Sequence, residues 1–392
     1  MPRWFAGASL EPWAGRWPVP PTPETRVWFL RHGASTFNLQ HRCQGCCDEP
    51  ELTPQGREGA RLSGERLDLE GIQAVVASPL RRAGDTAGEL LKAIRAHDRA
   101  VAFETDSRLR EIELYYWEGM PLQEIRRRLP EQYHDWRLRP ETFRMRLTDT
   151  EVQFPVRNLY ARVRSLWNDL LTTYSGKSIL LVTHGGTIRA LVTSALGLGP
   201  AHFHSFQQSN CGLSRLRFSP HSRQARLDLL NDTAHLGERL PKLKEGRQGT
   251  RLLLVRVDDA EPAAIERLGT TLKGVAIDGW LVASPAARIV ASELFSSAGD
   301  SCTVVSELPP DTEVDRLLHH DSGGQLKQIA ILGPPLILRG ILRQQLRISG
   351  SAAKSLDLRP LEITFVHRPG SGAPPSLQAM NISKPSPALV GV

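Results

Sequence analysis

Short apolar runs alternate with segments of helical spacing along most of the chain. Arg26-Val27-Trp28-Phe29-Leu30 is the first run; it predicts a strand buried on both faces. Gly56 to Leu67 has helical spacing, with Ala60, Leu62 and Leu67 as its apolar or small positions. Ala74 to Ala77 predicts a second strand, closed by Ser78-Pro79. A helix follows from Leu80 to Ile94, with Ala83, Ala87, Leu90, Leu91 and Ile94 along one side. Leu159, Val163, Leu166 and Leu170 mark a further helix. Ser178 to Thr183 is a strand running into His184-Gly185-Gly186, and Ile188 to Leu196 resumes helical spacing. Strands alternating with helices of this length imply an α/β fold with a mostly parallel sheet covered on both faces.

Leu236 to Gly249 is polar and carries Gly237, Pro241, Gly246 and Gly249, which predicts a linker. Beyond it the pattern restarts. Arg251 to Arg256 and Ile329 to Leu332 read as strands. Trp280 to Ala283 is another, closed by Ser284-Pro285, with helices through Ala291 and Leu294 and from Leu336 to Leu346. Ile179 to Arg189 aligns without gaps on Ile329 to Arg339, a constant shift of 150 positions. Ser78-Pro79 with Arg82 is answered by Ser284-Pro285 with Arg288. Arg31 is answered by Arg256, whereas His32 and His184 fall on Val257 and Pro334. The second copy keeps the framework and loses both histidines.

A length of 392 residues suits two domains, and 40% hydrophobic with 23% charged residues is ordinary for a globular protein. No run approaches the roughly 18 apolar residues of a membrane helix. Met1 to Thr25 lacks the apolar segment and cleavage site of a secretory signal, so it is expected to be an extended lead-in. The expected compartment is the cytoplasm, or an organelle stroma if that lead-in is a transit segment. Five cysteines, an odd number, argue against a disulfide framework. Cys43, Cys46 and Cys47 cluster without a matching His or Cys group, a poor zinc pattern, so neither metal nor cofactor is expected. The net charge of +7 comes without a Lys/Arg block or aromatic-basic interleaving. That favours attraction of small anions over nucleic acid.

The chemistry concentrates where strands end. His32 and His184 each follow a predicted strand and precede a glycine. Ligands of open α/β sheets bind beyond such carboxyl ends, and Gly33 and Gly185 let backbone approach a ligand. His41, His97, His134, His202, His204, His221, His235, His319, His320 and His367 lack this context and are expected at the surface or behind the site.

Arg31-His32-Gly33 with Asn38, then Arg42, Gln44-Gly45, Asp48, Leu52-Thr53 and Gly56, resembles the signature of the histidine phosphatase superfamily, the phosphoglycerate mutase-like proteins. Ser78-Pro79-Leu80 with Arg82-Ala83 and Thr86-Ala87, Leu109-Arg110-Glu111 with Trp117-Glu118-Gly119, and Thr183-His184-Gly185-Gly186 resemble its later motifs, in order, across residues 26 to 218. Ala34 stands where the family usually has Glu or Gln. Phe154-Pro155-Val156-Arg157 stands where many members have a Gly-Glu-Ser turn. That variant, the tandem layout and Gln208-Ser209-Asn210-Cys211-Gly212 are similar to plant and cyanobacterial 2-carboxy-D-arabinitol 1-phosphate phosphatases.

The resemblance implies a three-layer α/β/α phosphoglycerate mutase-like fold, here twice in tandem. The expected division is a lead-in at 1–25, an active domain at 26–235, a linker at 236–249 and a degenerate, inactive copy at 250–392. It implies a metal-independent phosphatase with His32 as nucleophile, Glu111 as proton donor and base, and His184 beside it. Arg31 and Arg82 counter phosphoryl charge with planar donors, as an in-line transfer without metal requires. Asn38, Gln44, Gly45 and Gly185 are expected around the phosphoryl group, and Arg157, Gln208 and Asn210 around the rest of the substrate. The expected partner is a small phosphorylated metabolite, favoured as 2-carboxy-D-arabinitol 1-phosphate or a related sugar phosphate, with phosphoserine or fructose bisphosphate as alternatives. Neither nucleic acid nor membrane is expected as a partner; a homo-oligomer through the second copy stays open. Phosphoglycerate mutase chemistry starts identically, but Glu113-Leu114-Tyr115-Tyr116-Trp117 gives no close match to the mutase segment, which favours hydrolysis. A binding protein with decayed sites fits only residues 250 to 392.

Overall fold

The computed structural model describes residues 24–383, apart from 69, 96–100, 221–224, 239, 245, 259–260, 299–304, 309–324 and 371. The expected lead-in therefore lies outside the described residues, except that Thr25 already opens the first strand. Fourteen strands are described: β1 (Thr25–Arg31), β2 (Ala74–Ala77), β3 (Ala102–Thr105), β4 (Met145–Arg146), β5 (Val152–Gln153), β6 (Ser178–Thr183), β7 (Leu213–Phe218), β8 (Ala225–Asp232), β9 (Gly249–Arg256), β10 (Gly279–Val282), β11 (Val305–Glu307), β12 (Leu326–Gly333), β13 (Ile363–Arg368) and β14 (Ser376–Ile382). β4 and β5 pair with each other, and the rest form one sheet ordered β11-β10-β12-β9-β13-β14-β8-β7-β1-β6-β2-β3.

Read outward from its centre, that order repeats. From β8 it runs β7, β1, β6, β2, β3; from β14 it runs β13, β9, β12, β10, β11. In each half the outer four strands are parallel and the inner two antiparallel. The parallel strands are apolar because helices cover both faces. Alternation then splits them between two cores. Val27 and Phe29 join Leu252 and Leu254 in one, Trp28 and Leu30 join Leu253 and Val255 in the other, and both cores run through both halves.

The halves meet at the antiparallel pair Met380 and Leu230 of β14 and β8. Around it two pairs of contacts are related by the 150-residue shift. Leu227 N–H donates to Ser355 O and Leu377 N–H to Ser205 O, both 2.8 Å. Asn231 Nδ2 donates to Gln378 O (2.7 Å) and Asn381 Nδ2 to Asp228 O (2.8 Å). Asn231 and Asn381 share φ values of 53° and 59°, a left-handed conformation asparagine tolerates. The seam is thus an approximate two-fold axis within one chain.

The segment expected as a linker is tied down rather than loose. Lys242 O accepts from Gln207 Nε2 (2.9 Å), Pro241 O accepts from Arg251 Nη2 (2.6 Å), and Gly249 already belongs to β9. His367 lies fully buried in β13, with Nε2 2.9 Å from Gln248 O, rather than at the surface or behind the site. No helix among the described residues is long and apolar enough to cross a membrane.

Candidate active site

β1, β2 and β6 end side by side. His32 N–H bonds to Thr183 O (2.8 Å) and Ser78 N–H to Val182 O (2.9 Å), so the three strand ends share one register. The close approach is made by glycine: a Cβ on Gly33 would lie 2.3 Å from Gly56 O. Gly33 N–H donates to Thr86 Oγ1 (3.0 Å), which itself donates to Arg82 O (2.6 Å). The loop after β1 is thereby fixed to the helix that carries Arg82.

His32 is buried, and its Nδ1 lies 2.8 Å from Gly33 O. A carbonyl only accepts, so Nδ1 carries the proton and Nε2 keeps a lone pair. Burial, then the charges of Arg82 and Arg31, hold the His32 pKa well below the usual imidazole range. The ring is neutral near pH 7 and therefore nucleophilic. The His184 ring centroid lies 5.2 Å away, and burial, then Arg82, lowers its pKa likewise. His184 Nε2 is 2.8 Å from Ser78 Oγ, while its Nδ1 is buried without a partner.

The two arginines are braced by backbone. Arg82, fully buried, donates to Gly45 O (2.7 Å) and Cys47 O (2.8 Å). Arg31 donates to Gln208 O (2.9 Å) and lies under Gly185, where a Cβ would stand 3.3 Å from its Nε. Burial lowers both guanidinium pKa values, with Glu111 opposing. Nε of each arginine is buried without a partner, as are both amide atoms of Gln208 and Ser209 Oγ. Arg31 and Arg82, whose charges act on His32, thus each keep one buried N–H unused.

Glu111 caps the helix Gly185–Ala195, which has no side-chain cap of its own. Its Oε1 accepts from Ile112 N (2.9 Å) and Thr187 N (3.1 Å), and its Oε2 accepts from Gly186 N (3.0 Å), while Thr187 Oγ1 donates to Arg110 O (2.7 Å). The helix N-terminus favours this carboxylate. Arg162 holds the same segment from behind, with Nη2 2.6 Å from Arg110 O and 2.8 Å from Glu111 O. Sequence reasoning missed Arg162. Its signal was a charge between Leu159 and Val163, on the apolar stripe of the helix Pro155–Thr173.

Asn38 Oδ1 accepts from Ser35 N–H (3.1 Å) and from Asn210 Nδ2 (2.9 Å), and Asn210 also reaches His32 O (3.0 Å) and Gly33 O (3.2 Å). Gln44 Oε1 accepts from Ser35 Oγ (3.0 Å). Gly45 has φ 52° and presses against Glu118. Its contribution is the carbonyl beneath Arg82, a bracing of the phosphate cradle. The Cys46 and Cys47 thiols contact the carbonyls of Glu111 and Gln44. Arg157 is not brought into this constellation. Its Nε donates to Glu141 O (2.5 Å), its guanidinium stacks on Phe154, and the side chain is exposed, because the helix that starts at Pro155 buries Val156 and puts Arg157 on its outer face.

A family description named the histidine phosphatase superfamily, branch 1, matches residues 27–233, more than half the chain. The chain belongs to this superfamily. A Triticum aestivum protein named 2-carboxy-D-arabinitol-1-phosphatase is 36% identical over 204 residues, 52% of this chain and 39% of the relative. An Arabidopsis thaliana protein named probable 2-carboxy-D-arabinitol-1-phosphatase is 36% identical over 195 residues, 50% of this chain and 38% of the relative. The chain spans about two fifths of the length of these relatives. The structure of a mycobacterial glucosyl-3-phosphoglycerate phosphatase with VO3 covers 53% of this chain and 99% of its own, at 29% identity and TM-score 0.46.

Proposed function

We propose that this histidine phosphatase hydrolyses phosphate monoesters of small metabolites through a phosphohistidine at His32. The observation that carries the reading is the buried, neutral His32, its Nδ1 tied to Gly33 O and its Nε2 left unprotonated between Arg31, Arg82 and His184. Nε2 attacks phosphorus in line while the ester oxygen departs with a proton from Glu111. Water then attacks the phosphohistidine, Glu111 takes its proton, and Nε2 is released with inorganic phosphate. Glu111 Oε2 is the atom suited to this exchange, since it accepts one backbone bond where Oε1 accepts two. Arg31 and Arg82 spread the phosphoryl charge. If Ser78 Oγ–H donates to His184 Nε2, the His184 proton sits on the partnerless Nδ1 as a further donor.

The second half is the silent copy. Val257 and Pro334 replace the histidines, and its arginines are neutralised internally: Arg256 pairs with Asp258, and Arg288 with Glu307 (2.6 Å). For the substrate we favour 2-carboxy-D-arabinitol 1-phosphate or a related sugar-acid phosphate. The names of the plant relatives support it, as do the buried, partnerless amide of Gln208 and the neighbouring Asn210, groups suited to a carboxylate and hydroxyls. The test compares kcat/KM across sugar-acid phosphates, phosphoserine, phosphoglycerate and fructose bisphosphate. A preference of about tenfold, ~1.4 kcal/mol of transition-state binding, for a substrate without the sugar-acid skeleton overturns the substrate reading. In the same protein, acid-labile label from substrate is expected on the wild type and not on His32→Ala; label on the variant rejects the nucleophile.

A further inference from the structure

The turn that follows Gln208 occurs in both halves. Cys211 N–H donates to Arg31 O (3.0 Å) in the first and Leu361 N–H to Arg256 O (2.9 Å) in the second, and Cys211 and Leu361 share φ values of 52° and 55°. Ser209 N–H donates to Asn231 Oδ1 (2.6 Å), and Arg359 N–H to Asn381 Oδ1 (3.0 Å). Each pair is related by the 150-residue shift, so the two copies share one backbone path. Between these contacts stands Asn210 in the first half and Pro360 in the second. The turn therefore forms without an amide side chain at this position. Asn231, which ties the seam, is kept as Asn381. Asn210 instead disappears in the copy where Val257 replaces His32. One asparagine goes with the fold and the other with the nucleophile.

Asn210 Nδ2 lies 3.0 Å from His32 O, 3.2 Å from Gly33 O and 2.9 Å from Asn38 Oδ1. Backbone carbonyls only accept, so the nitrogen end of the amide faces them and its orientation is fixed. Ser35 N–H only donates, and at 3.1 Å from Asn38 Oδ1 it fixes that amide as well. Asn38 Oδ1 is thus held by Asn210 and Ser35, while Asn38 Nδ2 has no partner among the described residues. Gly33 O also receives His32 Nδ1–H (2.8 Å), so Asn210 grips the acceptor that sets the tautomer of the nucleophile. We propose that Asn210 is a positioning residue for phosphoryl transfer: its Nδ2 locks the His32–Gly33 carbonyls in place and leaves Asn38 Nδ2 as the donor offered to a phosphoryl oxygen. The inference rests on His32 as the phosphoryl acceptor. It uses Nδ2 of Asn210 and leaves Oδ1 for a substrate hydroxyl. A misplacement near 1 Å costs about 10²-fold. Ser35 still holds Asn38 when Asn210 is removed, so about tenfold is expected.

The test uses the full chain, with vanadate as a probe that needs no turnover and with p-nitrophenyl phosphate and a sugar-acid phosphate as substrates. Asn210→Ala is expected to weaken vanadate binding about tenfold and to lower kcat about tenfold on both esters, with KM little changed. In an Asn38→Ala background the same substitution is expected to cost about threefold or less, because the two amides work through one contact. Asn210→Asp keeps the shape and loses the donors, so it is expected to do no better than alanine; turnover near wild type in Asn210→Asp overturns the proposal. A loss confined to the sugar-acid ester, with p-nitrophenyl phosphate unmoved, makes Asn210 a substrate contact and overturns positioning. Fully additive losses overturn the link to Asn38. Unchanged vanadate affinity in Asn210→Ala rejects the inference while wild-type turnover keeps the phosphatase reading. Weakened affinity in a chain that hydrolyses neither ester rejects that reading and keeps the inference, and a wild type that binds no vanadate rejects both.

Discussion

Gly186→Ala separates the fold from the chemistry at a single methyl group. A Cβ at Gly186 would lie 2.5 Å from Glu111 Oε1 and 3.2 Å from both its Cδ and Ile112 Cγ2, where ordinary contact begins at 3.4 Å, so Ile112 need give only about 0.2 Å. The carboxylate must retreat by about 0.9 Å to restore ordinary contact, because the new Cβ is fixed to the helix backbone. Glu111 is the end of a flexible side chain, so the fold yields cheaply, and alanine is a better helix residue than glycine by up to ~1 kcal/mol. The melting temperature is therefore expected to move by no more than a few degrees. The carboxylate, however, loses bonds to Gly186 N and Thr187 N and leaves the position from which it exchanges a proton. A misplacement near 1 Å costs about 10²-fold, within the 10²–10⁴-fold that a positioned acid contributes. The assay compares kcat on an alkyl phosphate and on p-nitrophenyl phosphate, whose leaving group departs without protonation. We expect a loss of about 10²-fold on the alkyl ester and a much smaller loss on the aryl ester, with Glu111→Gln showing the same pattern. Unchanged alkyl turnover in a folded Gly186→Ala, or equal losses on both esters, refutes the assignment of Glu111.

Prolonged chelation is expected to leave turnover unchanged, because Arg31 and Arg82 supply the countercharge; loss with chelator and recovery with a divalent ion would reject that division of labour. Arg162→Ala is expected to lower kcat by about tenfold (~1.4 kcal/mol) with KM little changed, since it frees the backbone behind Glu111. Arg162→Lys should restore part of that loss, and a KM effect alone would place Arg162 elsewhere. Burial, then Arg66, lowers the His235 pKa to about 4. The unfolded chain binds this proton near pH 6.5, so stability is complete above that pH and falls as pH drops toward 4. The loss is on the order of 3 kcal/mol. Denaturant titrations of His235→Gln across that window should show a shallower decline than wild type; an identical slope removes His235 from the cause.

The parallel strands were legible because burial on both faces leaves an apolar run with no alternation, as at Val27 to Leu30 and Ile179 to Val182. The antiparallel inner strands were not. β7 and β8 carry Arg215, Arg217 and Asp228, whose charges are matched across strands (Arg217 Nη2 to Asp228 Oδ1, 2.9 Å), and the neutral Asn231, so polar residues sit where a pattern search sees a loop. The pocket residues were legible as types at strand ends, but their supports were not. Arg162 and Thr187 act on backbone carbonyls and carboxylate oxygens contributed by residues 51 to 77 positions away. Arg157 shows the opposite failure: the sequence offers a cation next to a variable turn, and only the helix start at Pro155 decides that it points to Glu141.

If the second half is silent, as proposed, different contacts account for its silence and for its retention. Arg256 ends β9 as Arg31 ends β1, and each donates Nη1 to a backbone carbonyl 2.9 Å away, at Leu358 and Gln208, which are related by the 150-residue shift. The difference lies two positions further on. Gly33 in the first half lets backbone approach Gly56 and accepts the proton of His32 Nδ1; Asp258 in the second half places a carboxylate on the Arg256 guanidinium. An arginine already paired in a half-buried site gains little from a second anion, so restoring histidine at Val257 alone would not rebuild a phosphate cradle. Catalysis and the seam are separable, because the seam depends on Asn231, Asn381, Leu227 and Leu377, none of which touches His32. Without β14, β8 would present an open sheet edge, and Asn231, which also receives Ser209 N–H (2.6 Å) beside the pocket, would lose its acceptor at Gln378. The half proposed as silent therefore still covers the edge on which the segment from Gln208 to Asn210 is hung.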